Sequence, residues 1–260
     1  MKTPISYYGG KQNMLKHILP LVPKHKIYTE ALAGGAALFW AKEPGFIEVL
    51  NDINGNLINF YKVLKYRFNE LHKRIDATLH SRGTFDYAKI VYNFPQFFES
   101  VERAWALWVI SKMGFASKLD GSFGYDRKSN SIAKKLKGSK ELFTDELSKR
   151  LENTQIECTN ALRIISSRDT NETFHFVDPP YINSDCGHYA GTFNLMDFEE
   201  LLELLSVIQG KFMLTMFPHE VLSEYITRHS WHVVEVERTI SAAKSKRRKV
   251  KELIVMNYTI

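Results

Sequence analysis

Asp178-Pro179-Pro180-Tyr181 is the string in this chain whose residue types call most clearly for a chemical explanation. It follows Phe174-His175-Phe176-Val177, an apolar run that reads as a buried strand. Two consecutive prolines fix two φ angles and remove two amide donors, so the segment leaving that strand is stiff and presents carbonyl oxygens without competing N–H groups. Such an array suits an aromatic amine like N6 of adenine, whose lone pair is drawn into its ring. A carboxylate and a fixed carbonyl that accept its two hydrogens push the nitrogen toward tetrahedral geometry and stabilise the positive charge that grows during attack on a methyl group. Tyr181 adds a ring on which a base can stack, worth about 1–3 kcal/mol. Asp and Pro are also common in plain turns. The functional reading gains weight from the position, since open α/β sheets bind their ligands at the carboxyl ends of strands.

Two further clusters have residue types that fit a nucleoside. Glu30 precedes the turn Ala33-Gly34-Gly35-Ala36, and Asp52 stands seventeen residues after Gly35. Glycine lets a ligand approach the backbone, and an acid at the tip of a second strand accepts ribose hydroxyl hydrogens. The string is not GxGxxG, and Asp52 equally fits the N-cap of a helix over 54–65. Near the start, Tyr7-Tyr8-Gly9-Gly10-Lys11 precedes Met14, Leu15, Ile18 and Leu19, which fall on one helical face.

The elements that must position these residues follow a βα rhythm. Residues 27–31 read as a strand, 36–42 as a helix closed by Pro44-Gly45, 46–50 as a second strand and 57–68 as a helix. Between about Tyr66 and Lys149 the alternation stops: an aromatic helix over 97–113 is followed by a glycine-rich, basic stretch. Strands at 155–158, 174–177 and 211–216 then alternate with helices near 161–167, 198–207 and 219–229. The strands 232–238 and 253–258 close the chain as a hairpin around a hydrophilic loop. The fold class is therefore α/β: a doubly wound, Rossmann-like sheet, mostly parallel with an antiparallel edge hairpin, carrying an inserted, mainly helical subdomain. The boundaries are 1–65 and 151–260 for the two parts of the catalytic domain, with 66–150 as the insertion.

Taken in order, Tyr-Gly-Gly-Lys at the start, the acid-and-glycine turn, Leu50-Asn51-Asp52-Ile53-Asn54, an insertion and then Asp-Pro-Pro-Tyr resemble the DNA adenine N6-methyltransferases of the Dam type. Arg238-Thr239-Ile240-Ser241 and Arg247-Arg248-Lys249-Val250-Lys251-Glu252-Leu253 are similar to the basic loop that precedes the last strand of that family. The resemblance implies S-adenosylmethionine as cofactor, enclosed by Tyr7 and Lys11, with Glu30, Gly34, Asp52 and Asp178 around it. It implies that Asp178 also meets the target amine, that Pro179 contributes a carbonyl beside Pro180, and that Tyr181 stacks. The resemblance also implies double-stranded DNA as the partner, and a companion restriction endonuclease fits the same reading. Ala36 stands where the family usually has glycine, and Tyr7 where tryptophan is common. The insertion reads Ser111-Lys112-Met113-Gly114-Phe115-Ala116-Ser117-Lys118, without the Asn-Arg and Asn-Gly features of the GATC-methylating members, so no target word carries over. Rival readings are a methyltransferase acting on RNA adenine or on another amine or amide, and a DNA-binding protein that has lost catalysis.

Composition sets the outer limits. The chain has 260 residues, 44% hydrophobic and 25% charged, with a formal net charge of +6. That excludes a collagen-like fibre, a coiled-coil rod and a disordered tail, and the positive balance agrees with a polyanionic partner. Lys118, Arg127, Lys246, Arg247, Arg248 and Lys249 are the expected DNA contacts, with further cations between 127 and 150 up to Arg150. Two cysteines, Cys158 and Cys186, make no disulfide framework or zinc site, which points to a reducing cytoplasm. Phe97, Trp105 and Trp108 read as helical core and His175 as structural, while His188 and His219 lack metal-ligand spacing. No metal is expected.

Overall fold

Residues 1–115, 119–127, 130–182, 193–240 and 248–259 are described by the structure, a computed structural model. Seven strands form one sheet: β1 (Ile27–Glu30), β2 (Ile47–Asn51), β3 (Thr154–Glu157), β4 (Thr173–Val177), β5 (Lys211–Met216), β6 (His232–Ile240) and β7 (Arg248–Met256). Their spatial order is β3-β2-β1-β4-β5-β7-β6. Neighbours from β3 to β5 pair in parallel, and β7 runs antiparallel to both β5 and β6. The mostly parallel α/β sheet with an antiparallel edge hairpin expected from the sequence is the sheet observed. The hairpin strands are longer than expected: β6 reaches Ile240 and β7 starts at Arg248, because Glu237 opposite Lys251 and Thr239 opposite Lys249 continue the ladder through the charged stretch.

The helices are α1 (Leu15–Ile18), α2 (Ala37–Ala41), α3 (Gly55–Tyr66), α4 (Phe68–Asp76), α5 (Arg82–Asn93), α6 (Ser100–Met113), α7 (Ser131–Glu141), α8 (Glu146–Arg150), α9 (Ala161–Arg168), α10 (Leu195–Val207) and α11 (Glu220–His229). Short polar residues start several of them. Asn54 accepts from the amides of Asn56 and Leu57 to open α3, and Asn194 and Asp197 form a reciprocal capping box on α10.

Strand residues alternate between two cores, as a period of two requires when both faces are covered. Leu50, Phe176, Met213 and Ile254 pack with α2, α3 and α6 on one face, and their neighbours Val49, Val177, Leu214 and Val255 pack with α9, α10 and α11 on the other. The helix α6 is apolar on nearly every side and packs against α3, α4 and α5. Trp105, Trp108 and Phe143 thereby join the same core as Tyr28 and Phe174 of the sheet.

Prolines interrupt two of the expected helical stretches. Pro95 begins a 3-10 turn over 95–97, so Phe97 lies before α6 and is 75% exposed instead of in the helical core. Pro20 likewise converts the end of α1 to a 3-10 turn, and Leu19 leaves the buried face that Met14, Leu15 and Ile18 keep.

Candidate active site

The strand order reverses between β1 and β4, which brings the carboxyl ends of these two strands side by side: Glu30 pairs with Phe176, two residues before Asp178. This is the crevice where an open α/β sheet receives a ligand. The residues singled out in the sequence converge here from three chain segments.

Asp178 is the centre of the arrangement. Lys11 Nζ lies 2.6 Å from its Oδ1 and donates to Oδ2 at 2.8 Å. Thr215 Oγ1 donates to Oδ1 at 2.7 Å, from the strand position that follows the Val177–Leu214 pair. The Asp178 side chain is 19% exposed, whereas Lys11 is closed off at 3%. Burial pushes the Asp178 carboxyl above its ordinary value and outweighs the opposing pull of Lys11 and Thr215, while the charge of Glu252 adds to the rise.

Tyr181 leaves the same segment and is braced on two sides. Its hydroxyl donates to Glu252 Oε1 at 2.5 Å, and its ring meets Phe217 edge-on at 4.5 Å between centroids. Lys11 Nζ sits 4.8 Å over the ring and 3.7 Å from Glu252 Oε1. Glu252 is fully buried on β7, and its other oxygen accepts from Arg238 of β6.

The glycine turn is held by side chains on both sides. Asp52 accepts from the Gly34 amide and the Asn54 amide, each at 2.9 Å, and the Tyr61 hydroxyl donates to the Gly34 carbonyl at 2.7 Å. Asp52 therefore joins the tip of β2 to the turn, and the helix cap passes to Asn54. Gly34 has φ 47°, and a Cβ there would lie 3.1 Å from the Tyr7 ring; at Gly35 it would lie 3.2 Å from Tyr7 Cβ. Glycine is what lets Tyr7 close against the backbone. Ala36 adopts φ 51°, a left-handed conformation that glycine would take without strain. Glu30 is 2% exposed and accepts from the Tyr28 hydroxyl at 2.5 Å and the Phe39 amide at 2.7 Å. Burial raises its carboxyl to about 7.

The donor set suits S-adenosylmethionine. Tyr7 lies against the glycine turn and Tyr181 supplies a second ring, while Asp52 and Asp178 keep part-exposed carboxylates at the ends of β2 and β4 for hydroxyls and positive charge; Glu30, expected as a cofactor contact, is instead closed off from solvent.

The outlying residues separate into groups. Arg127 is exposed. Lys249 lies within β7, not in a loop, and pairs with Glu237 at 3.2 Å; Arg248 begins the same strand. Lys118, Lys246 and Arg247 lie outside the described residues, as do Cys186 and His188. Arg150 belongs to the interior: it is buried against Glu48 and Phe39 rather than lying on a basic surface. His175 is buried on Thr29 Oγ1 at 2.8 Å, with burial lowering its pKa to about 4, and His219 caps α11. Cys158 is exposed and free. Among the described residues, no group of His, Cys, Asp and Glu is arranged to hold a metal, and no helix is long and apolar enough to cross a membrane.

Thr215 and Glu252 are the functional neighbours that sequence reasoning missed as site residues. A glutamate directly before the apolar run Leu253 to Met256 was the available sign for the second, since a buried carboxylate needs partners.

An α/β sheet with an Asp-Pro-Pro-Tyr lip at its switch point has the arrangement of a methyltransferase that acts on an amine. The profile described as D12 class N6 adenine-specific DNA methyltransferase matches residues 7–240, and the chain belongs to that family. It is an adenine-specific DNA methyltransferase, and its cofactor is the S-adenosylmethionine that this family implies. Among its relatives is the type II methyltransferase M1.LlaDCHI of Lactococcus lactis subsp. cremoris, 27% identical over 96% of this chain and 93% of that protein. The DNA adenine methylase of Escherichia coli K12 is 22% identical over 97% and 94%, respectively. The type II methyltransferase M.FokI of Planomicrobium okeanokoites is 22% identical over the whole of this chain and 43% of its own length.

Proposed function

We infer that the chain methylates N6 of an adenine flipped out of double-stranded DNA, with the carboxyl edge of the sheet holding both reactants. The observation that carries this reading is Asp178, a part-exposed carboxylate at the switch point, fixed by Lys11 and Thr215 and joined to Tyr181 through two prolines. S-adenosylmethionine, when bound, supplies a methyl group already activated on a sulfonium. Gly34, Tyr7 and Asp52 would hold it at the turn, with Glu30 supporting them through the α2 amide of Phe39 and with Lys11 and Asp178 as the charged groups beside it.

On the target side, Asp178 accepts one amino hydrogen and the Pro179 carbonyl the other, while Pro180 keeps the lip stiff. Acceptance of both hydrogens directs the nitrogen lone pair out of the ring plane and toward the methyl carbon. The rate would come from positioning and electrostatic support: as the N–C bond forms the sulfonium S–C bond would break, its electron pair leaving on a neutral thioether, and the methylated amine would then release its extra proton to solvent. Extrusion of the base costs a few kcal/mol in pairing and stacking, which contacts to Asp178 and the Tyr181 ring offset.

Lys118, Arg127, Lys246, Arg247, Arg248 and Lys249 take DNA phosphates, and residues 66–150 form the subdomain that reads the target word. The type II names of two relatives support a companion endonuclease that cleaves the same unmethylated word. An enzyme of this kind works in the cytoplasm, on the chromosome or on invading DNA.

Transfer of tritiated methyl from labelled cofactor to duplex DNA, single-stranded DNA, RNA and protein tests the reading. Label is expected in adenine of duplex DNA. Label confined to RNA or protein would reject it, and label in none would leave a DNA-binding protein without catalysis.

A further inference from the structure

One charged residue near Asp178 takes no part in the scheme above. Glu252 is fully buried, and its carboxylate touches three groups that the active site uses or borders: the Tyr181 hydroxyl on Oε1 at 2.5 Å, Lys11 Nζ 3.7 Å from the same oxygen, and Arg238 on Oε2. Its place follows from the sheet. Leu253 pairs with Met216, and Thr215, the next residue back along β5, donates to Asp178. The antiparallel strand β7 thus carries a carboxylate to the end of the sheet where the parallel strands deliver theirs.

Lys11 is the shared element. Its ammonium lies within 2.8 Å of both Asp178 oxygens, so it competes with an incoming amine for the same lone pairs. The ammonium also donates to the Gly9 carbonyl at 2.9 Å, but Glu252 is the second anion within its reach, and without it Asp178 would be the one carboxylate opposing that buried cation.

We propose that Glu252 is a positioning residue for methyl transfer: it fixes the Tyr181 hydroxyl and draws the Lys11 ammonium partly to itself, so that Asp178 keeps acceptor capacity for the target amine. Arg238 balances the charge of Glu252 and sets how strongly it pulls. The mechanical part of this inference rests on the amine-methylating reading, whereas the electrostatic part concerns groups of the chain alone. The charged or titratable groups that bear on Asp178 are Lys11, Glu30, Tyr181, Arg238 and Glu252, from five separate segments of the chain.

The test uses the full-length protein with two substitutions of opposite sign. Glu252→Gln removes negative charge from beside Asp178, so the Asp178 carboxyl titrates at lower pH, followed by ¹³C NMR of labelled aspartate in the DNA-free protein. Arg238→Gln removes positive charge, so the same midpoint moves to higher pH. In single-turnover methylation of duplex DNA the acid limb shifts in the same two directions. Glu252→Gln lowers the rate at neutral pH roughly ten- to a hundredfold, with cofactor affinity changed less than about threefold. Should Glu252→Gln fail to fold, the partly exposed Arg238→Gln carries the titration alone. An Asp178 midpoint that does not move, or moves the same way in both variants, would overturn the proposal. A parent enzyme that methylates no DNA would instead defeat the functional reading, because the titration needs no turnover.

Discussion

At the amino end of the sheet Glu48 meets Lys42 and Arg150; at its carboxyl end Asp178 meets Lys11 and Thr215. Both are carboxylates held by lysine deep in the fold, yet their titration is displaced in opposite directions. Glu48 receives two cations, with Lys42 Nζ at 2.5 Å and Arg150 on both oxygens, and the three side chains are no more than 8% exposed. Burial pushes the Glu48 carboxyl up, but hydrogen bonds from Arg150 and Lys42 more than reverse it. The rings of Tyr28 and Phe39 close over the two cations. Asp178 has one cation, shares it with Glu252, and is held above its ordinary value by burial. Two cations around one closed carboxylate make a structural weld between α8 and the sheet. One shared cation beside a part-exposed carboxylate leaves acceptor capacity for a ligand.

Substitutions at the two ends should fail in different ways. The largest effect is expected from Asp178→Ala, which removes the acceptor from the lip. Methyl transfer falls by more than about a hundredfold while the folded protein still binds S-adenosylmethionine measurably, as read by single-turnover rate and equilibrium binding. Near-normal turnover in this variant would remove Asp178 from the mechanism.

Glu48→Gln should instead destabilise the fold by about 3–5 kcal/mol, because it leaves two buried cations facing a neutral amide, with turnover per folded molecule little changed. The pH dependence has a definite sign. A carboxyl whose folded pKa is depressed adds stability that is present above the ordinary glutamate value of 4.5 and is lost as pH falls through the folded value. Chemical denaturation should therefore show a parent that loses its advantage over Glu48→Gln on acidification below that value. An advantage that persists there would contradict the weld.

The smallest effect is expected at the glycine turn after β1, on the carboxyl side of the sheet. Ala36→Gly relieves the left-handed strain at φ 51° and should stabilise the protein by about 1 kcal/mol without loss of cofactor affinity. A destabilised variant would show that the alanine methyl contributes packing that outweighs the strain.

The frame of the molecule was legible because it is written in local signals. Alternating apolar runs located every strand, and the stiff Asp-Pro-Pro-Tyr string fell at the end of β4 as its chemistry required. What escaped were contacts made across long separations in sequence. Lys11 and Asp178 are 167 residues apart, and Tyr181 and Glu252 are 71 apart. Nothing local in Thr215 or Glu252 reveals which strand end each will reach. Arg150 looked like one more cation in a basic stretch until the fold turned it inward onto Glu48. Leu19 and Phe97 were misplaced for a nearer reason: Pro20 ends the α-helical face before Leu19, and Pro95 starts a separate 3-10 turn, so Phe97 precedes the helix that begins at Ser100.

The central claim is that the lip from Asp178 to Tyr181 directs methyl transfer to the exocyclic nitrogen of adenine in a duplex. Duplex DNA exposed to the parent enzyme and to Asp178→Ala, then sequenced for modified bases, tests it most directly. N6-methyladenine should accumulate at one recurring sequence with the parent and be absent with the variant. Equal methylation by both, or methyl groups on a base other than adenine, would contradict it.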